Sequence, residues 1–152
     1  MSFNSRVAAF TLIELLLGMA ILAVLATIAV PSYSTYIDRA KVTQAQADIV
    51  QTEVAIAQYL SDHASLPPDL TVLNSVNPTD PWGNPYQYLN LGLRGATGRA
   101  RKDKSLVPIN SDYDLYSVGK DGQSVPALTA KVSQDDVVRG RNGAFVGLGA
   151  DF

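Results

Sequence analysis

The apolar segment from Phe10 to Val30 constrains this 152-residue chain more than any other stretch. Glu14 is its one charged residue. A helix of about 20 apolar residues spans the roughly 30 Å hydrocarbon thickness of a bilayer. A chain of this size could hardly bury a helix that is apolar on every side. The segment therefore predicts a membrane-spanning helix, and a buried helix of a soluble protein is the weaker interpretation.

Glu14 is out of place in such a helix and points to a specific role. A carboxylate near the apolar centre of a membrane costs about 2.5–3.5 kcal/mol on insertion scales, and such groups usually have a partner. The sequence Phe-Thr-Leu-Ile-Glu at 10–14 resembles the processing and methylation motif of type IV pilins and type II secretion pseudopilins. The resemblance implies that Glu14 pairs with the terminal amine of a neighbouring subunit during assembly.

The same resemblance implies that residues 1–9 are a leader peptide. A prepilin peptidase would cut between Ala9 and Phe10, and the new amine of Phe10 would be methylated. The family usually has Gly before the cut, but Ala is the next smallest side chain, so we expect cleavage to survive. Arg6 and the amino terminus favour a cytoplasmic N-terminus. A cleaved secretory signal peptide is the competing interpretation, but the apolar core is too long for one.

A polar helix is predicted to continue beyond the apolar segment. Pro31 should kink or locally melt the helix, because proline removes a backbone hydrogen bond. An apolar stripe at helical spacing follows, formed by Val42, Ala45, Ile49, Ile56 and Tyr59 or Leu60. We expect one long helix from Thr11 to His63, with 10–30 in the membrane and 31–63 as an amphipathic continuation. Two helices hinged at Pro31 remain the alternative.

Composition limits what residues 64–152 can do. They suffice for one small α+β domain. The net charge of −2 gives no reason to expect a nucleic-acid partner. The absence of cysteine excludes thiol nucleophiles, cysteine zinc sites and disulfides. His63, the one histidine, is expected to be a solvated residue at the end of the helix. Because no nucleophile–base pair is recognisable, we do not expect an enzyme.

The segment 80–88 is the second strong motif. Its prolines and Gly-Asn pair predict turns, followed by a strand from Tyr86 to Leu89. Trp82 is expected to pack over the helix. The sequence Asp-Pro-Trp-Gly-Asn-Pro-Tyr resembles a segment of the major pseudopilin of type II secretion systems.

Five cations lie between Gly92 and Lys104, among glycines: Arg94, Arg99, Arg101, Lys102 and Lys104. Such a segment could bind phosphate or lipid headgroups. We expect a solvated loop instead.

Acidic residues flank a long loop near the C-terminus. A strand is predicted from Ser111 to Val118, then a turn, and the carboxylates Asp121, Asp135 and Asp136 bracket the loop. Oxygen-rich clusters of this kind suit calcium, although the pattern alone is weak. It resembles the calcium loop of major pseudopilins. The resemblance implies ligation by these three carboxylates and by the carbonyl oxygens of Val118 and Ser133. The loop is longer than is usual in that family.

The tail 137–152 has a turn at 140–143 and then an apolar run, which predicts a short strand or a packed tail.

We therefore expect a type IV pilin-like α+β fold, with a long N-terminal helix on a small antiparallel sheet. The resemblance implies a major pseudopilin of a type II secretion system, anchored once in the bacterial inner membrane with its C-terminal domain in the periplasm. Implied partners are other copies in a helical filament, minor pseudopilins, an inner-membrane assembly platform, prepilin peptidase and membrane lipid before assembly. The alternative is a subunit of an extracellular type IV pilus.

Overall fold

The computed structural model describes residues 10–74 and 76–152, without the side chains of 30–32. The chain divides into two compact units, one ending at Asp38 and the other running from Arg39 to Phe152. Helix α1, Leu12–His63, belongs to both.

Helix α1 begins and ends where the sequence predicts. Thr11 caps its first turn, and the backbone N–H of Ala64 donates to Leu60 O (2.8 Å) at its end, where Ala64 takes a positive φ of 53°. The helix assignment is continuous through Pro31, so the prediction of a single helix is confirmed. It is the one helix among the described residues that is long and apolar enough to cross a membrane.

The second unit also contains a four-stranded antiparallel sheet. Its strands are β1 (Gln87–Asn90), β2 (Tyr113–Ser117), β3 (Val137–Gly140) and β4 (Phe145–Leu148). They lie in the order β1-β2-β3-β4, so each strand pairs with its neighbour along the chain. The fold is therefore α+β and pilin-like, as predicted.

One face of the sheet packs against α1. The helix contributes Ala45, Ile49 and Ile56, and the sheet contributes Leu115 and Val137, all 1% exposed or less. Three members of the stripe predicted from helical periodicity are thus the helical part of the core. Trp82 is partly buried against the same cluster, as expected.

The opposite face has its own smaller core. Val138 follows Val137 and points the other way, because side chains alternate along a strand. It packs with Ile109 and with Leu128 from the loop between β2 and β3, and Phe152 from the tail packs against them. The long loop and the C-terminus therefore cover the sheet face that α1 leaves open.

The remaining elements differ from the sequence prediction in detail. Strand β1 lies one residue later than predicted, and β3 was not predicted separately. The predicted turn at 140–143 is a short 3-10 helix, Arg141–Gly143, that joins β3 to β4 as a hairpin. After α1 the chain forms a 3-10 helix, Leu70–Val72, which Asp69 caps by accepting from Thr71 N–H (2.8 Å).

Candidate assembly segment and C-terminal loop

Glu14 takes part in a reciprocal cap at the first turn of α1. Its Oε2 accepts from the backbone N–H of Thr11 (2.9 Å) and from the Thr11 hydroxyl (2.8 Å), while its own N–H donates to Thr11 Oγ1 (3.3 Å). This is the Thr-x-x-Glu form of the capping box. The amide of Thr11 lies after the predicted cleavage point, so cutting before Phe10 would leave the box intact.

The apolar surface around this cap is open to solvent in the single chain. Phe10 is 85% exposed and Leu12 76%, and the large apolar side chains up to Ile28 are exposed as well. Among the described residues, the apolar side chains of this helix segment are therefore left uncovered. Ala9, the other residue of the predicted processing site, lies outside the described residues.

A turn at Asp80 anchors the start of the C-terminal loop. Asp80 Oδ1 accepts from the N–H groups of Trp82 (3.0 Å) and Asn84 (2.8 Å), and its Oδ2 accepts from the Ser117 hydroxyl. Asn84 Nδ2 donates to Gly119 O (3.1 Å). The second sequence motif therefore holds the turn after β2, a role that the sequence did not reveal.

Two of the predicted calcium ligands, Asp121 and Asp135, meet through the backbone. The Asp121 N–H donates to Asp135 Oδ2 (3.0 Å), while the Asp121 carboxylate is exposed and accepts from Gln123 N–H (2.8 Å). Gly119, at φ 69°, passes so close beneath Asp135 that a Cβ there would lie 2.7 Å from Asp135 Oδ2. The turn is thus closed by hydrogen bonds and by close backbone packing.

Of the other residues in the predicted set, Asp136 and Ser133 have side-chain partners within the protein. The Asp136 carboxylate is buried and pairs with Arg101, and the buried Ser133 hydroxyl donates to Val125 O (2.9 Å). Val118 is half-buried beside the turn. Among the described residues, no three acidic or histidine side chains are grouped as metal ligands. The structure therefore brings Asp121 and Asp135 together and pairs Asp136 with Arg101, and calcium binding by the predicted set stays a prediction.

Arg101 departs from the expected solvated loop. Four of the five cations of its segment are exposed, but the Arg101 side chain is 2% exposed and lies 4.3 Å from the ring centroid of Tyr116. Burial is the largest influence on Asp136 and raises its pKa, while hydrogen bonds from Ser124 and the charge of Arg101 act in the opposite direction. No local sequence signal indicated the Arg101–Asp136 pair, because its two members lie far apart in the chain.

A second buried arginine connects α1 to the sheet. Arg139 donates from Nε to Glu53 (2.6 Å) and from both terminal nitrogens to Asp112 (2.8 and 2.9 Å), and it lies 4.0 Å from the ring centroid of Tyr113. Burial acts to raise the pKa of Asp112, but the hydrogen bonds from Arg139 and from the backbone outweigh it, and the pKa is lowered. These contacts have a structural role, because they join β3 to α1 and to the residue just before β2 within one unit.

Comparison with known proteins agrees with the N-terminal motif. Residues 4–30 match the family model described as the prokaryotic N-terminal methylation motif. The chain is 33% identical over 135 residues to type II secretion system core protein G of Pseudomonas aeruginosa, covering 75% of this chain and 84% of that relative. It is 30% identical over 135 residues to the protein of the same name in Escherichia coli K12, covering 75% and 82%.

Pilins match over a shorter length. The fimbrial protein of Neisseria meningitidis is 33% identical over 88 residues, which cover 58% of this chain and 52% of that protein. No solved structure gives a significant match to the chain. The long matches to core protein G, the methylation motif and the helix-on-sheet fold agree with one another. The chain belongs to the type II secretion system core protein G family.

Proposed function

We propose that this protein is the major pseudopilin of a type II secretion system, a structural subunit that polymerises into a periplasmic filament driving the export of folded proteins. One observation carries the proposal: the helix from Leu12 is exposed and apolar through Ile28, with its one charge, Glu14, in its first turn. The family membership supports the same role, and it is the role of a structural subunit rather than of an enzyme.

The exposed helix needs two successive environments. Before assembly, lipid of the inner membrane covers its apolar side chains, because their exposure to water would cost free energy in proportion to their area. After assembly, the helices of neighbouring subunits cover them. The weakly basic residues 1–9 support a cytoplasmic N-terminus, with the C-terminal domain in the periplasm.

Glu14 makes the transfer of the helix from lipid to neighbouring subunits specific. In the single chain its carboxylate accepts from Thr11, which reduces the cost of keeping it in lipid. Prepilin peptidase cutting between Ala9 and Phe10 would create a charged amine, and in the filament the amine of one subunit would pair with Glu14 of another. Minor pseudopilins and an inner-membrane assembly platform are the other proposed partners.

A type IV pilus subunit is the second candidate. The matches to Neisseria pilins favour it, but they cover about half of each chain, whereas the matches to core protein G cover most of the relative. A pilus would reach the outside of the cell, and a pseudopilus would remain behind the outer membrane.

A secretion assay combined with antibody labelling tests the proposal. Deleting the gene should stop export of the proteins that the secretion system carries, and wild-type chain should restore it while Glu14→Ala should not. Antibody should reach the protein only after the outer membrane is opened. Normal export by the deletion strain, together with surface fibres on intact wild-type cells, would instead identify a pilus subunit.

A further inference from the structure

The loop between β2 and β3, residues 118–136, needs an anchor. It carries one short 3-10 helix, Lys131–Ser133, and connections this long without much regular structure are uncommon in compact domains. The chain has no cysteine, so no disulfide can close the loop. Leu128, within the loop, is buried and helps to cover the second face of the sheet.

Arg101, from a different segment of the chain, bonds two separate parts of this loop. Its Nη1 donates to Val125 O (2.8 Å) and to the Ser124 hydroxyl in the first half of the loop. Its Nη2 donates to Asp136 at the end of the loop. The Ser124 hydroxyl also donates to Asp136 Oδ2 (2.6 Å), so Ser124 and Asp136 contact each other directly and also share the guanidinium of Arg101.

The backbone around Arg101 is fixed independently of its side chain. The Arg101 N–H donates to Asp114 Oδ2 (2.6 Å). The Lys102 N–H donates to Pro126 O (2.9 Å), and Lys102 O accepts from Leu128 N–H (2.9 Å). The backbone that carries Arg101 is therefore held by hydrogen bonds, so its guanidinium extends toward the loop from a fixed position.

Charge and geometry explain why a guanidinium suits this place. A buried carboxylate is costly without a cation, and Asp136 is 0% exposed. A planar guanidinium offers several donors in a fixed fork and can bond separate acceptors at once. Arg101 thereby supplies to Asp136 the positive charge that the family resemblance assigns to calcium.

We propose that Arg101 is the cation that closes the C-terminal loop, so that this domain folds and keeps its loop shut without a divalent ion. The inference concerns folding and does not depend on the proposed function.

The test compares melting of the full chain in detergent, in excess calcium and in EDTA. Trp82, the one tryptophan, reports on the core by fluorescence. The wild type should melt at the same temperature in both conditions, whereas an ion bound at a hundred times its Kd would raise the melting temperature by about 10 °C. A rise of that size in calcium would overturn the proposal.

Substitutions separate the guanidinium from general loop stability. Arg101→Met should lower the melting temperature by about 10 °C, because it leaves Asp136 buried without a cation. Arg99→Met, at an exposed arginine of the same segment, is the matched control and should melt like the wild type. Adding Asp136→Leu to Arg101→Met should recover most of the loss. Equal melting of Arg101→Met and Arg99→Met would overturn the proposal.

Proteolysis with a lysine-specific protease gives a second measurement, which holds even if Arg101→Met is only partly folded. Lys120 and Lys131 are exposed within the loop and become cleavable when it opens. Arg101→Met should be cut there faster than Arg99→Met, and the addition of EDTA should not accelerate cutting of the wild type. Faster cutting of the wild type in EDTA would show that an ion closes the loop.

Discussion

Arg139→Met is the substitution that most directly measures the polar connection between α1 and the sheet. The arginine side chain is 4% exposed and bonds Glu53 on the helix and Asp112 beside β2. Methionine fills a similar volume but leaves both carboxylates without their cation. The loss should therefore come from charge and hydrogen bonding more than from packing.

The magnitude follows from the burial of the partners. Removing one member of a fully buried ion pair costs about 3–5 kcal/mol. Here Glu53 is 21% and Asp112 36% exposed, so water can partly solvate the abandoned carboxylates. We expect Arg139→Met to lose about 2–3 kcal/mol, which for a domain of this size lowers the melting temperature by about 10 °C.

Thermal or urea unfolding of the full chain in detergent, followed by Trp82 fluorescence, measures this loss. Arg94→Met removes an exposed arginine and serves as the control. A double-mutant cycle with Glu53→Gln isolates the interaction free energy between Arg139 and Glu53, which should be at least about 0.5 kcal/mol for contacting residues. A loss below about 0.5 kcal/mol for Arg139→Met, typical of surface changes, would refute the reasoning.

Three further predictions follow from the same unit. The wild type should have a larger free energy of unfolding than Arg139→Met, and the full difference should be present above about pH 4. The difference should shrink as the pH falls through the lowered pKa of Asp112, because protonation removes the charge that pairs with Arg139; unfolding measured across pH would show this. Gly119→Ala should destabilise by more than about 1 kcal/mol and speed loop proteolysis, since its Cβ would strike Asp135 at a positive φ. Leu115→Ala, at a 1% exposed position in β2, should cost about 2–5 kcal/mol in unfolding experiments.

Helix α1 was predictable from sequence because local signals define it. Its apolar run, the Thr-x-x-Glu start and the later apolar stripe are each contained within a few turns. Its end is signalled by the proline pair Pro67-Pro68, which lies just beyond His63. The strands β1 and β2 were found for the same reason, because alternating apolar residues are visible locally.

The anchors of the C-terminal loop were not predictable in this way. Arg101 lies among glycines and exposed cations, where sequence favours a solvated side chain, and only the folded chain brings it to Asp136. The aspartates near the loop suggested one shared ligand, but each carboxylate has a different partner in the structure. Sequence shows which charges are available, whereas the fold decides which of them meet.

Imaging of filaments together with the mass of their subunits tests the central claim most directly. Filaments isolated from the cell envelope should bind antibody against this chain, and their subunits should begin at Phe10 with one added methyl group. Glu14→Leu should insert in the membrane but form few filaments, while Ile13→Leu should assemble normally. Filaments built from chains that retain residues 1–9, or abundant filaments of Glu14→Leu, would contradict the account.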